Sequence, residues 1–234
     1  MNQQALFYHV GRQAMRAFTR WQLETRVEYQ APIPEGPVIL APNHPTTLDP
    51  IVVSTLTNRA LHFLVTESAF KVPALGTCLR RAGQIKVESG QGRAAFESAL
   101  SLLKAGKPIA IFPEGALSPV TGGMAPAHTG VIRLALMTGA PIIPVGIAVD
   151  QTRILFVNTG IPDANGEPEV ARLYLRGPYA VTVGKPVYLH GSVQDRGAVH
   201  RQTDLLMLSL GVLAYRSAVR LMRHPLMQPI LSQA

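Results

Sequence analysis

Short apolar segments alternate with longer amphipathic ones between residues 38 and 149, and few folds accommodate this pattern. The short segments are rich in Val, Ile and Leu and are bounded by Gly or Pro, which is typical of buried strands. Neighbouring parallel strands need crossover connections, which are usually helices. The predicted strands cover residues 38–40, 61–66, 84–87, 108–112 and 141–149, and the predicted helices cover residues 49–56, 92–104 and 128–138. The alternation therefore predicts a single α/β domain in which helices cover a mostly parallel central sheet.

The two flanks of this alternating segment have different patterns. Residues 1–30 carry apolar residues at helical spacing and are predicted to form an N-terminal amphipathic helical region that associates with a membrane. After residue 150, short strands with Gly/Pro turns favour an antiparallel extension, and residues 193–222 are predicted to be one or two helices. These short strands are residues 153–158, 171–175 and 180–183. No linker divides the 234-residue chain, so residues 31–234 are assigned to one α/β domain.

The charge of the chain predicts an anionic partner. It has 22 Lys and Arg against 14 Asp and Glu, a net charge of +8, although only 15% of its residues are charged. The 47% of hydrophobic residues excludes disorder of the chain as a whole. Residues 71–107 hold seven basic and two acidic side chains, so much of the excess lies there. We expect this basic segment to dock on anionic lipid or on the phosphates of a substrate.

Membrane contact through the N-terminus depends on Arg12, Arg16 and Arg20, which a helix places on one face. That face would meet anionic lipid, or it would be the solvated side of a helix packed on its own domain. The longest uncharged apolar run, residues 205–215, is about 16 Å long as a helix, whereas a membrane span needs ~20 apolar residues. We therefore expect no ordinary transmembrane helix, and we expect the protein to be peripheral (monotopic) on the cytoplasmic face of the cell membrane.

The first candidate site is the loop after the first predicted strand, residues 41–50, which reads Ala-Pro-Asn-His-Pro-Thr-Thr-Leu-Asp-Pro. In open α/β sheets, ligands bind outside the carboxyl ends of the strands, where this loop falls. At this spacing Asp49 can accept a hydrogen bond from one imidazole nitrogen of His44 and leave the other nitrogen as a base. The alternative is a histidine with a structural role beside a helix start.

The second candidate site is residues 112–118, which read Phe-Pro-Glu-Gly-Ala-Leu-Ser and follow another predicted strand. Gly115 lets the chain turn with a positive φ and presents the Glu114 carboxylate on that turn. The alternative is a plain turn with a solvated glutamate. Because both loops follow strands of one sheet, we expect them to meet at the same edge.

Other catalytic patterns are missing from the sequence. No serine stands in a Gly-x-Ser-x-Gly elbow, and no Gly-x4-Gly-Lys phosphate loop occurs. Cys78 has no histidine near it in sequence, so inert burial is its expected role, and the scattered histidines give weak support to a metal site. Without an evident nucleophile, the simplest chemistry for His44 is to deprotonate an acceptor hydroxyl, which then attacks an activated carbonyl.

These loops resemble conserved blocks of the glycerolipid acyltransferase family, typified by the 1-acylglycerol-3-phosphate acyltransferases. Four blocks occur in the family's order over residues 38–150, about half of the chain. They are Asn43-His44 with Asp49, Lys71-Val72-Pro73 with Gly76 and Gly83, Phe112-Pro113-Glu114-Gly115, and Ala140-Pro141-Ile142-Ile143-Pro144-Val145, with His128-Thr129-Gly130 where the family has Lys-x-Gly.

The resemblance implies transfer of a fatty acyl group from acyl-CoA or acyl-carrier protein to the hydroxyl of a lysophospholipid or related lipid acceptor. The family uses no metal and forms no acyl-enzyme, so no cofactor is expected. His44 would be the general base and Asp49 its orienting partner, and backbone donors near Pro144 would stabilise the oxyanion. The expected substrate-binding residues are Asn43, Thr46, Lys86, Arg93, Glu114, Gly115, His128 and Pro144.

The chain departs from the family at its phosphate-binding cations. Ser89 and Leu117 stand where the family usually has arginine, and His128 stands where it has lysine. A leucine does not replace the bidentate contacts of a guanidinium. We therefore expect an acceptor other than simple lysophosphatidic acid, unless nearby cations such as Lys86 and Arg93 compensate.

Two alternatives to the transferase stay open: a lipid-binding or accessory protein with a degenerate site, and a lipid hydrolase in which water replaces the acceptor at the same base. Nucleic-acid binding has only the basic charge in its favour. No aromatic-rich basic sheet and no recognition-helix motif accompanies that charge. We therefore expect no nucleic-acid partner.

Overall fold

The computed structural model describes residues 3–162 and 168–223, with side chains for residues 11–161 and 168–223. The helices are α1 (Gln3–Trp21), α2 (Asp49–Ser54), α3 (Glu67–Lys71), α4 (Leu75–Arg81), α5 (Gly92–Lys104), α6 (Gly130–Thr138) and α7 (Arg196–Met222). The strands are β1 (Thr25–Tyr29), β2 (Ile39–Pro42), β3 (His62–Thr66), β4 (Ile85–Val87), β5 (Ile109–Ala110), β6 (Ile142–Val149), β7 (Leu155–Pro162), β8 (Pro168–Leu173) and β9 (Tyr179–Val183).

The central sheet has seven strands in the order β1-β9-β6-β2-β5-β3-β4. Every neighbouring pair from β6 to β4 is parallel, whereas β9 runs antiparallel to β6. The prediction of a mostly parallel sheet covered by helices is confirmed. All five strands predicted between residues 38 and 149 are present, and α5 has the predicted bounds.

Strand β1 was not predicted, and it pairs in parallel with β9 at one edge of the sheet. Its sequence, Thr-Arg-Val-Glu-Tyr, mixes charged and apolar residues because an edge strand leaves much of its surface in water. Val27 and Tyr29 are both exposed. The boundary predicted at residue 30 therefore falls after the first strand of the sheet.

Two hydrophobic cores lie on the two faces of the sheet. Successive residues of a strand point to opposite faces, and accordingly Leu40 enters one core while Ile39 and Ala41 enter the other. Helix α2 and the end of α1 cover the first core, and helices α5, α6 and α7 cover the second. This arrangement leaves the carboxyl edge of the parallel strands to the connecting loops.

Helix α7 packs directly on β6 and β9. A Cβ at Gly146 would lie 2.1 Å from the backbone carbonyl carbon of Leu213, so only glycine allows this approach. By length and composition alone, α7 could cross a membrane, which the short run at residues 205–215 did not predict. Its opposite face is open: Leu208 and Val212 are each 67% exposed.

Two of the three arginines of α1 contact the protein. Arg12 donates to the backbone oxygen of Asn58, and Arg16 Nη2 donates to Asn58 Oδ1 at 2.5 Å, whereas Arg20 is exposed. Of the two interpretations of this helix, packing on its own domain therefore accounts for Arg12 and Arg16. The side chains of the apolar residues before Gly11 lie outside the described residues.

Ion pairs engage part of the basic segment, residues 71–107. Lys71 Nζ lies 3.5 Å from Glu67 Oε1, Arg93 Nε lies 2.9 Å from Glu97 Oε1, and Lys86 pairs with its neighbour Glu88. Each of these pairs is at least partly exposed, so each contributes little to stability.

Strands β7 and β8 form a separate two-stranded antiparallel sheet, called the β7–β8 arm below. Its register pairs Phe156 with Arg172. Thr47 N donates to Arg172 O at 3.0 Å, and Arg172 N donates to Thr47 Oγ1 at 2.9 Å. These two bonds join the arm to the loop that follows β2. The predicted antiparallel extension of the central sheet is β9 alone.

Candidate active site

The two candidate loops meet at the carboxyl edge of neighbouring strands β2 and β5, as expected. The backbone N–H of His44 lies 3.2 Å from Glu114 Oε1 and 3.1 Å from Ser118 Oγ, and it donates to both. In return, Ser118 N donates to the His44 carbonyl at 2.8 Å. These reciprocal bonds fix the backbone of His44 against the second loop.

The His44 side chain is held on two sides. Its Nδ1 lies 2.9 Å from Asp49 Oδ2. Its ring stacks on Phe112 with a centroid separation of 3.8 Å and an interplanar angle of 17°. Among the described residues no protein group bonds to Nε2. A carboxylate at Nδ1 favours the tautomer with its proton there, so Nε2 keeps its lone pair and can act as a base.

Asp49 is fully buried, and its carboxylate accepts hydrogen bonds from several donors. Thr46 donates through its backbone N–H to Oδ2 at 2.8 Å and through its hydroxyl to Oδ1 at 2.5 Å. Tyr179 donates its hydroxyl to Oδ1 at 2.6 Å. Burial, together with the charge of Asp49, raises the pKa of Tyr179 well above its usual value, so the phenol keeps its proton. Such donors stabilise an ionised carboxylate out of water.

Glu114 is also buried, and both of its carboxylate oxygens have protein partners. Besides the His44 N–H, Oε1 accepts from Ser118 Oγ at 2.6 Å, and Oε2 accepts from Ala125 N at 2.6 Å. The carboxylate therefore joins the two loops and the segment before α6. In this arrangement Glu114 positions the backbone of His44, and its oxygens are occupied by protein donors.

Three further residues of the expected substrate-binding set are enclosed by the protein. Asn43 is buried, and its side chain both donates to Ile147 O at 3.0 Å and accepts from Ile147 N at 2.7 Å. Thr46 is 0% exposed and bonded to Asp49. Pro144 has no N–H and lies within β6 between β2 and β9, where Val145 is also fully buried. Pro144 itself therefore offers no backbone donor to an oxyanion.

His128 lies at the rim of the same site. Gly115 has a φ of +66°, and a Cβ there would come within 2.8 Å of His128 Cδ2. The backbone N–H of His128 donates to Pro113 O at 2.9 Å. The exposed imidazole thus covers the glycine turn beside Glu114.

Lys86 and Arg93 lie apart from these loops. Lys86 is on β4, which is separated from β5 by β3, and its contact with Glu88 raises its pKa. Arg93 is in the first turn of α5, and its side chain is 92% exposed. Within residues 3–162 and 168–223, no hydrogen bond joins either cation to the His44 or Glu114 loop.

Sequence reasoning missed Tyr179, Ser118 and Arg172. Tyr179 lies 130 positions from the carboxylate it contacts, on the antiparallel strand β9. Arg172 reaches both loops from the β7–β8 arm, and its Nη1 donates to Ser118 O. The aromatic Tyr179 at the start of a predicted strand was the one available signal. Its partner depends on which strands pair, which a single sequence does not reveal.

The arrangement can perform general-base chemistry at Nε2 of His44. In the described part of the chain, no group of three or more His, Cys, Asp or Glu side chains is placed to hold a metal ion. Cys78 is exposed on α4, so the expectation that it is buried is wrong.

Comparison with known proteins shows the family of the chain. Residues 24–148, just over half of the chain, match the family model described as Acyltransferase. The chain is 25% identical over 167 residues to a chloroplastic 1-acyl-sn-glycerol-3-phosphate acyltransferase, BAT2, from Brassica napus, covering 70% of this chain and 44% of that protein. It therefore spans less than half the length of this curated relative.

A solved structure shares the fold. The crystal structure of the 1-acyl-sn-glycerophosphate acyltransferase PlsC from Thermotoga maritima superposes with a TM-score of 0.59 and 21% identity, covering 88% of this chain and 79% of that one. The segment that matches the family model, residues 24–148, contains β1 to β5, β6 except its last residue, and both loops of the site. The chain belongs to the Acyltransferase family.

Proposed function

We propose that this protein transfers a fatty acyl group from acyl-CoA or acyl-carrier protein to the hydroxyl of a lysophospholipid or related lipid acceptor, with His44 as the general base. The observation that carries the proposal is the geometry of His44. Its Nδ1 lies 2.9 Å from the buried carboxylate of Asp49, and its ring is stacked on Phe112. The names of the similar proteins support the same class of reaction.

The reaction proceeds without a protein nucleophile. His44 Nε2 accepts the proton of the acceptor hydroxyl while the hydroxyl oxygen attacks the thioester carbonyl carbon. The tetrahedral intermediate then expels the thiolate as the carbon–sulfur bond breaks. The thiolate takes the proton from the imidazolium, so the products are the lipid ester and the free thiol, and His44 returns to its starting state.

Asp49 supports this cycle as a positioning residue. While the imidazole carries the extra proton, the ionised carboxylate at Nδ1 stabilises the positive charge. The donors from Thr46 and Tyr179 hold the carboxylate in place. Since a proton leaves and returns at one nitrogen, and the thioester supplies the activated carbonyl, the proposed reaction needs no cofactor besides the acyl donor.

We also propose that the protein works as a peripheral protein on the cytoplasmic face of the cell membrane. Helix α7 supports this through an exposed apolar stripe with spacings of three or four residues, which is an unusual surface to leave in water. The stripe comprises Leu205, Leu208, Val212 and Tyr215, each more than half exposed. Trp21 at the end of α1 is 78% exposed and adds a residue that favours the membrane interface.

Product analysis tests the transferase proposal. The protein is incubated with a radiolabelled acyl donor and a total lipid extract, and labelled products are identified by mass. We expect a labelled lipid with one additional acyl chain. Free labelled fatty acid as the main product would favour a hydrolase, and no turnover with any donor would favour an accessory protein.

Vesicle flotation tests the membrane proposal. Replacing Leu208 and Val212 together by Glu should reduce binding to anionic vesicles, because it places two charges in the exposed stripe of α7. The matched control Val187→Glu adds a charge at another exposed apolar residue, outside α7, and should leave binding unchanged. Equal binding by wild type and the double variant would refute the assignment of this stripe.

A further inference from the structure

Arg172 of the β7–β8 arm lies across both loops of the active site. Its backbone exchanges two hydrogen bonds with Thr47, at 3.0 Å and 2.9 Å, in the loop that carries His44. Its Nη1 donates to the carbonyl of Ser118, in the loop that carries Glu114. Ser118 in turn bonds the backbone of His44. Ser118 therefore links the Arg172 guanidinium to the backbone of the proposed base.

The Arg172 guanidinium has N–H groups that bond to no protein group among the described residues. It carries five N–H groups in a planar fork, and only Nη1 has a partner among the described residues. Three buried side-chain atoms in the described part of the chain lack a partner, and no nitrogen of Arg172 is among them. They are Arg12 Nε, Thr25 Oγ1 and Arg220 Nε. The remaining nitrogens of Arg172 are thus open to solvent at the site. A fork with free Nε and Nη2 matches two oxygens of one anion.

Of the charged residues described around the site, Arg172 is the one with free donors for an anion. Both carboxylates of the site, Asp49 and Glu114, are buried and already bonded to protein donors. Lys86 and Arg93 are engaged in ion pairs elsewhere. In the parts of the chain that the structure describes, Arg172 is the one cationic residue hydrogen-bonded to both loops, so it is the cation best placed to bind an anion there.

The arm also offers apolar surface beside this cation. Phe156 lies directly opposite Arg172 in the strand register, so their side chains share a face, and Phe156 is 55% exposed. Val170, two residues before Arg172 on the same face, is 46% exposed. A cation next to an exposed aromatic and an aliphatic side chain matches a lipid whose anionic group lies close to its hydrocarbon part.

We infer that Arg172 binds the anionic headgroup of the acyl acceptor and that the β7–β8 arm selects anionic single-chain lipids over neutral ones. This inference rests on the proposed function and specifies its acceptor. Arg172 brings a guanidinium from a distant strand to Ser118, the residue next to Leu117. The inference therefore replaces the expectation that simple lysophosphatidic acid is not the acceptor. Arg172 is then a specificity-determining residue of the acceptor site.

The experiment compares wild type with Arg172→Gln on two acceptors, 1-acylglycerol 3-phosphate and the monoacylglycerol with the same chain. Gln keeps an N–H donor for Ser118 O and removes the positive charge. We expect kcat/KM for the phosphate-bearing acceptor to fall about tenfold to a hundredfold, mainly through KM, since a charge-assisted contact is lost. Turnover of the neutral acceptor should change by less than about twofold. The matched control Arg176→Gln removes an equal charge from an exposed residue just beyond the arm and should change neither.

Equal losses for both acceptors would show that Arg172 only positions the Ser118 loop and would overturn the inference, as would no loss at all. Calorimetric binding of 1-acylglycerol 3-phosphate without acyl donor separates this result from a failure of the proposed function. Wild type that binds this lipid but transfers no acyl group refutes the proposed function. In either case, weaker binding by Arg172→Gln supports the inference, and equal binding by wild type and variant refutes it.

Discussion

Tyr179→Phe removes one hydrogen bond from the buried carboxylate that orients the proposed base. The hydroxyl donates to Asp49 Oδ1 at 2.6 Å, and the side chain is 1% exposed. A hydrogen bond to a charged group contributes roughly 1.5–3 kcal/mol, and loss of about 2 kcal/mol lowers the melting temperature of a chain this long by about 4–8 °C. Because Asp49 keeps both Thr46 donors, we expect the fold to persist.

The same substitution should also slow the reaction. A less firmly held Asp49 leaves His44 less well oriented, which lowers kcat about tenfold while KM stays nearly constant. Thermal unfolding and steady-state transfer assays measure the two effects on one preparation.

Tyr174→Phe is the matched control for Tyr179→Phe. Tyr174 is also fully buried, but its hydroxyl donates to the neutral carbonyl of Pro178 at 2.8 Å. We expect a loss of about 1 kcal/mol in stability and unchanged kcat. If Tyr179→Phe melts within 1 °C of wild type, or if the control loses as much activity, the proposed coupling between Tyr179 and His44 is wrong.

Other substitutions and conditions give further tests. Glu114→Gln should lower both stability and kcat, because the new amide directs an N–H at a backbone or hydroxyl donor. A melting temperature and a rate equal to those of wild type would contradict this expectation. Burial raises the pKa of Tyr174 to about 12, whereas an unfolded phenol titrates near 10, so its stabilising contribution is complete below pH 10 and is lost between about pH 10 and 12. Urea unfolding at pH 9 and 11 should therefore show wild type losing about 1.4 kcal/mol more than Tyr174→Phe, and parallel losses would refute the assignment. Gly115→Ala should lower the free energy of unfolding by about 1–2 kcal/mol because of its positive φ, and by more because the new Cβ clashes with His128. Adding His128→Ala should restore part of this loss, whereas additive losses in thermal unfolding would contradict that contact.

Local patterns in the sequence predicted the parallel half of the molecule. Strands such as β6 are continuous apolar runs because helices cover both faces of the sheet, so composition and turn residues suffice to find them. His44 and Asp49 are close in sequence, and the geometry of one loop brings them together. Spacing therefore indicated this pair as a candidate, and the resemblance to the acyltransferase blocks implied its role.

The rest of the site could not be predicted because it depends on strand pairing between distant parts of the chain. Tyr179 and Arg172 reach the His44 loop from strands more than a hundred positions away, and their partners depend on the antiparallel β9 and on the β7–β8 arm. Asn43, expected to bind substrate, instead satisfies the backbone of Ile147 across neighbouring strands. A polar residue in a catalytic motif can thus serve buried hydrogen bonding, which single-sequence patterns do not distinguish from ligand binding.

Single-turnover transfer by His44→Ala tests the central claim most directly. The substitution keeps the backbone bonds of His44 to the Glu114 loop but removes the contacts of its ring with Asp49 and Phe112, so we expect a lower melting temperature and a fold that persists. His200→Ala is the control, since it removes an exposed imidazole on α7, outside the two loops of the site. The account predicts a loss of about a hundredfold to ten-thousandfold in the transfer rate for His44→Ala and less than about threefold for His200→Ala. A folded His44→Ala protein that transfers acyl groups at nearly the wild-type rate would contradict the assignment of His44 as the general base.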